Sequence, residues 1–305
     1  MAMVLYFIFF GFILTAILGL LVSWLERKVT ARLQYRVGPP LFQPFTDIVK
    51  LLGKELLIPR GVSKNTFLLA PIIGIVGAMV VSTLLFVVNM YPDKTFFGDL
   101  IVVLYFLVLP SLGVILGGFA SNNPLASIGA SREMKLVLAY ELPFILAVLA
   151  VVIKSGLAIK FGDIIAYQSQ NGMFIASWSG VISFIVILLC AQAKLGLVPF
   201  DVAEAETELA AGALIEYSGP ALAIFKLTKA MLFFVLPFLM TILFFGGFSA
   251  AHLLKSLFGF IGIIVLIVVV KNTNPRLRID QALRFFWGPV TVLAILAVIL
   301  AIKGL

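Results

Sequence analysis

This sequence predicts an all-α, polytopic membrane protein, and three observations predict it. Hydrophobic residues make up 62% of the 305, against 12% charged, and the mean hydropathy is +1.18; a domain facing water does not carry that composition. Apolar runs long enough to cross a bilayer recur along the chain. The 25 Gly and 28 Phe suit helices packed closely in lipid, where small residues let backbones approach.

Hydropathy places eight transmembrane helices, near residues 2–24, 67–90, 98–119, 136–154, 173–193, 221–245, 255–271 and 284–303. The first run, MAMVLYFIFFGFILTAILGLLVSW, is too long for a secretory apolar region and has no cleavage site, so it reads as a span. Residues 1–305 read as a single integral membrane domain without repeats. Its notable loops are a docking loop at 25–66 and an acidic loop at 194–220.

The docking loop contains one more element. Phe45, Ile48, Leu51, Leu52, Leu56 and Leu57 recur at helical spacing, with Asp47, Lys50, Lys54 and Glu55 on the other side and Pro44 and Pro59 as limits. That pattern predicts an amphipathic interfacial helix, lying on lipid or walling a groove shared with a soluble partner. Lys and Arg concentrate in the first, third, fifth and seventh loops. The positive-inside rule therefore places the odd-numbered loops in the cytoplasm and both termini outside. The net charge of +8 follows from this asymmetry and carries no nucleic-acid signal.

One cysteine, Cys190, and one histidine, His252, are too few for an iron–sulfur cluster, a nickel site, structural zinc or a haem pair. Cys190 reads as a small apolar residue in a span and His252 as a surface residue beside a helix end. No nucleotide-binding glycine pattern, nucleophile triad or metal-ligand spacing occurs, so the chain is not expected to be an enzyme by itself. No cofactor is expected on it, and any redox centre must sit on a partner.

Chemistry concentrates in PFDVAEAETELAAGALIEY, residues 199–217, with five carboxylates: Asp201, Glu204, Glu206, Glu208 and Glu216. If this segment were one continuous helix, which Gly212 opposes, all but Glu206 would share a face. Like charges so close perturb one another's proton affinity, which suits a proton or ion relay. Asp201 with Glu204 after Pro199 also reads as a capping box, which leaves Glu206, Glu208 and Glu216 unexplained. Glu141, in LAYELPFILAVL, is an intramembrane carboxylate near a helix-breaking Pro143 and is a second relay candidate.

Lys194 after the fifth span, and Lys226 and Lys229 on the sixth, can supply counter-charges. Lys154 and Lys160 read as interfacial anchors. Arg27, Lys28, Arg32 and Arg36, with Arg276, Arg278 and Arg284, set topology and offer planar forks to lipid phosphate or to carboxylates on a docked subunit. The Ser131-Arg132-Glu133 triplet is ambiguous on composition alone, with Arg132 a docking candidate.

Four ordered segments, ERKVTARLQYRVGPP, QPFTDIVKLLGKELLIP, PFDVAEAETELAAGALIEYSG and NPRLRIDQAL, resemble the membrane subunit of respiratory complex I that contacts the quinone-reducing module, its H subunit. They also resemble the corresponding subunit of energy-converting membrane-bound [NiFe] hydrogenases and of related archaeal sulfur-reducing complexes. The resemblance covers nearly the whole chain.

Gly38-Pro39-Pro40 reaches Gln43-Pro44 after only two residues, and the third loop carries IGASREM. Both features are similar to the hydrogenase branch and weigh against quinone. The resemblance implies a plasma-membrane subunit that anchors a hydrogenase-like large subunit and iron–sulfur small subunits, with the [NiFe] centre and clusters on those partners. It would join them to antiporter-like membrane subunits. It further implies that Glu204, Glu206, Glu208 and Glu216 face the catalytic module, that Glu141 leads towards the pumps, and that Arg27, Arg32 and Arg36 dock. A complex I subunit forming part of a quinone chamber is the alternative; an autonomous transporter is a third class, disfavoured by the absence of repeats.

Overall fold

The computed structural model describes residues 2–204, 206–210, 212–248 and 253–305, with backbone alone for Ala2, Met3, Glu206 and Thr207. His252 therefore lies outside the described residues. In chain order the helices are α1 (Val4–Leu33), α2 (Gln43–Leu52), α3 (Lys64–Met90), α4 (Asp99–Ala120), α5 (Pro124–Lys154), α6 (Phe161–Asn171), α7 (Trp178–Lys194), α8 (Gly219–Phe245), α9 (Leu253–Thr273) and α10 (Ile279–Ile302). All but α2, α6 and α7 are long and apolar enough to cross a membrane. The apolar helix α7 has 17 residues, about 26 Å at the helical rise, a little short of the hydrocarbon thickness. With it, eight apolar helices stand at the positions of the eight expected spans.

Helix α8 is the hub: 89% of its most apolar window is buried, against 22% for α1. It packs on α1, α3, α9 and the amphipathic α2, while α5 packs on α4, α7 and α10. Rings from neighbouring elements interlock around α8, where Phe86 and Phe234 stack and Phe238 tilts against Phe86 at 5.2 Å. Phe260 meets Phe234 edge-on. Offset and edge contacts are the favoured ring geometries, so this cluster packs tightly without hydrogen bonds.

Three sequence expectations change. The amphipathic helix stops at Leu52, and Gly53 follows as its C-cap. Residues 54–57 instead run along the start of α8, where Leu57 N–H donates to Ser218 Oγ at 3.1 Å. Leu56 and Leu57 are thus outside the helix, and Lys54 and Glu55 are exposed. The fourth span begins at Pro124 rather than 136, because Asn123 accepts the Leu125 N–H through its side chain and caps the helix there. Arg132 and Glu133 consequently lie on α5, not in a loop. The first helix likewise continues to Leu33, carrying Arg27, Lys28 and Arg32 on its extension beyond the apolar run.

Candidate functional site

The acidic segment is not one helix. It breaks into a single turn at Glu206–Leu209 and a tight turn at Gly212–Leu214. Gly212 takes φ +56°, and any Cβ there would collide with the Ala203 carbonyl, a conformation a non-glycine residue adopts only under strain. Gly129 on α5 allows the same loop to close in, since a Cβ there would sit 2.5 Å from Ala213 N. The one-face arrangement of carboxylates fails for this reason.

Both ends of the loop are pinned. At its start, Phe200 packs on Phe286 with centroids 4.7 Å apart, the Leu277 N–H donates to Pro199 O at 3.0 Å, and Arg276 pairs with Asp201 at 2.9 Å. Asp201 is therefore an ion-pair partner, and the next described helical turn begins at Glu206. At its end, Tyr217 stacks on Phe67 at 4.1 Å and donates its hydroxyl to Phe67 O at 2.9 Å. Burial pushes the Tyr217 hydroxyl above its ordinary pKa, so it stays a donor.

The four described carboxylates accordingly separate. Glu204 faces Lys229 of α8 at 2.7 Å. Glu208, exposed, pairs with Arg132 of α5 at 2.6 Å. Glu216 accepts from Asn123 Nδ2 at 2.5 Å. The Glu206 side chain lies outside the described residues.

Inside the bundle, Lys194 ends α7 with its side chain 3% exposed and reaches Glu141 on α5, at 2.8 Å and 3.2 Å from the two carboxylate oxygens. Its ammonium also sits 4.8 Å over the rings of Tyr140 and Phe144. A charge held away from water needs such compensation, and cation–π contacts add about 0.5–2 kcal/mol each.

Between these two ion pairs lies a half-open cavity with about 60 Å³ of room for water, enough for on the order of four molecules. Lys194, Lys229, Glu204, Asp201, Glu133 and Ser111 supply its polar lining. Phe200, Phe225, Val114 and Leu232 form an apolar floor. A wet, charged chamber between the loop and an intramembrane ion pair is an arrangement through which protons can pass.

Glu133 and Ser111 are the residues that sequence reasoning missed. Glu133 is 8% exposed, and its eight-residue offset from Glu141 on one continuous helix is the signal that could have found it. Lys226 does not join the site: it is exposed on α8 while Lys229 faces inward. Cys190 is buried against α5, donating to Tyr140 O at 3.5 Å.

The docking candidates form a separate surface. Arg27 pairs with Asp47 at 3.0 Å, tying α1 to α2, while Lys50, Arg32, Arg36, Arg276 and Arg278 are exposed and Lys28 is half-buried. Phe42, Val49 and Leu57 lie beside them with 68%, 68% and 62% of their surface exposed, an apolar area that water alone would not favour. Among the described residues no group of three or more His, Cys, Asp or Glu could hold a metal ion.

The family described as NADH dehydrogenase matches residues 4–302. The H subunit of the NADH-quinone oxidoreductase of Bacillus mycoides is 34% identical, over 92% of this chain and 89% of the relative. That of Bacillus thuringiensis is 35% identical over the same shares. A solved structure of the membrane-bound sulfane sulfur reductase, an archaeal respiratory membrane complex, contains a chain that superposes with a TM-score of 0.87. It is 27% identical and covers 99% of this chain and all of that one.

Proposed function

The chain belongs to the NADH dehydrogenase family, and we propose that it is the membrane subunit of a respiratory complex that couples electron transfer in a docked module to proton or sodium movement. The observation that carries the reading is the water-sized cavity that runs from Lys229–Glu204 on the loop to Lys194, the ion-pair partner of Glu141. A redox event that favours one state of the loop over another changes the field on these pairs; without such a difference it transmits nothing.

The redox centres belong to partner subunits in this reading: a hydrogenase-like large subunit with its [NiFe] centre, and iron–sulfur small subunits. They dock on Arg32, Arg36, Lys50 and the apolar residues of the first loop. Antiporter-like membrane subunits receive the ion path beyond Glu141. Supporting this branch is the end-to-end likeness to a chain of the sulfane sulfur reductase. The names of the Bacillus relatives support a second reading, in which the same docking loop walls a quinone chamber.

Glu141→Gln in the assembled complex tests the coupling role. Redox-driven ion gradients should vanish while electron transfer from an artificial donor continues; gradients of wild-type size would sink it. Purifying the complex and asking whether its large subunit holds nickel, or whether quinone-site inhibitors stop turnover, separates the two branches.

A further inference from the structure

We propose that Glu133 is the proton carrier of the cavity, and that Lys194 alternates between Glu141 and Glu133 as the proton moves. The proposal rests on the coupling function above and names the residue that connects its two halves.

Charge balance singles out Glu133. Asp201 has Arg276, Glu204 has Lys229 and Glu141 has Lys194. Glu133 lines the same cavity and is in none of the described ion pairs. With every group in its ordinary charge state, the set holds one carboxylate more than it has cations. An uncompensated buried charge is costly, and a single bound cation removes it.

The surroundings favour a proton as that cation. Two ammonium groups, Lys194 and Lys229, share the cavity with Glu133, as does Glu204 from the loop. A hard metal ion wants about six oxygen ligands, and positive neighbours would oppose it. A proton needs only one oxygen and a route. The Ser111 hydroxyl of α4 lines the cavity with Glu133 and lies 3.3 Å from the Tyr140 hydroxyl. The Tyr140 ring in turn carries the Lys194 ammonium on its face.

Geometry supplies the alternation. Glu133 and Glu141 are eight residues apart on α5, about 12 Å along its axis, and Lys194, bonded to Glu141, also lines the cavity that Glu133 lines. The lysine's flexible four-carbon stem lets its ammonium turn from the one carboxylate towards the other. In the forward step the O–H bond on Glu133 breaks, and the proton crosses cavity water towards Lys194 to form an O–H bond on its partner Glu141. The Lys194 ammonium leaves the neutralised Glu141 and follows the charge to Glu133. Net charge is the same before and after, and no electrons move. Release from Glu141 towards the membrane interior, and reprotonation of Glu133 from the mouth beside Glu204, restore the starting state.

The test measures ions moved per electron transferred by the assembled complex in sealed vesicles. Glu133→Gln should slow charge translocation about a hundredfold, as loss of a proton carrier does, while Glu133→Asp restores much of it with a displaced pH profile. If Glu141→Gln abolishes translocation and Glu133→Gln does not, the proposal is overturned and the coupling role stands. If neither variant changes translocation, the coupling role itself fails. Sodium-dependent translocation insensitive to Glu133→Gln also overturns the proposal. Should the Gln variant not assemble, an unshifted pH profile in Glu133→Asp overturns it equally.

Discussion

The two lysine–carboxylate pairs differ in worth because they differ in exposure. Lys194 is 3% exposed and Lys229 36%. Removing one partner of a buried pair strands a charge and costs about 3–5 kcal/mol, whereas a pair open to water contributes about 0–1 kcal/mol. Lys194→Ala should therefore lower the thermal unfolding midpoint of the purified complex clearly, and Lys229→Ala only slightly. Equal shifts would show that Lys194 is wetter than its position implies. The same logic explains why relay residues are hard to read singly. Lys226 and Lys229 look alike in sequence, but only the second turns towards the cavity.

The acidic loop works as an element because its ends are fixed and its middle is bent. Phe200 and Arg276 hold one end, Tyr217 the other, and Gly212 turns the chain between them. Gly212→Ala forces a left-handed conformation on a residue with a Cβ, about 1–2 kcal/mol before the collision with Ala203 is counted. Residues 199–217 should then exchange amide hydrogen faster and be cut sooner by protease, with less ion movement per electron. Unchanged exchange would mean that the turn is not what holds the loop. α2 is shorter than its periodicity suggested for a related reason: Gly219 brings the α8 backbone against residues 54 and 55, and a continued helix would occupy that space.

Over the whole molecule, the charge asymmetry of the loops predicts one orientation of the bundle. The expectation is that the first loop and the acidic loop face the cytoplasm, with the α6–α7 connection and both termini opposite. Cys190 is the single cysteine and is buried, so cysteines introduced singly at Arg60 and Ser169 can be told apart from it. A membrane-impermeant maleimide applied to intact cells should label Ser169→Cys and spare Arg60→Cys. Labelling of both, or the reverse pattern, would overturn the orientation.

The helical class and the run of apolar helices were legible in the sequence, because hydropathy and charge are sums over local residues and need no knowledge of neighbours. Lys194 and Glu141 could be nominated on the same footing, since a charge in an apolar run is conspicuous wherever it lies. What tertiary structure alone decided was pairing. Glu204 went to Lys229, Glu208 to Arg132 and Asp201 to Arg276, distances that no spacing rule encodes. Glu133 stayed ambiguous because its role depends on Ser111, Lys194 and Lys229 arriving from three other helices. A carboxylate's chemistry is set by what surrounds it within a few ångströms, and in a helical bundle those surroundings come from distant parts of the chain.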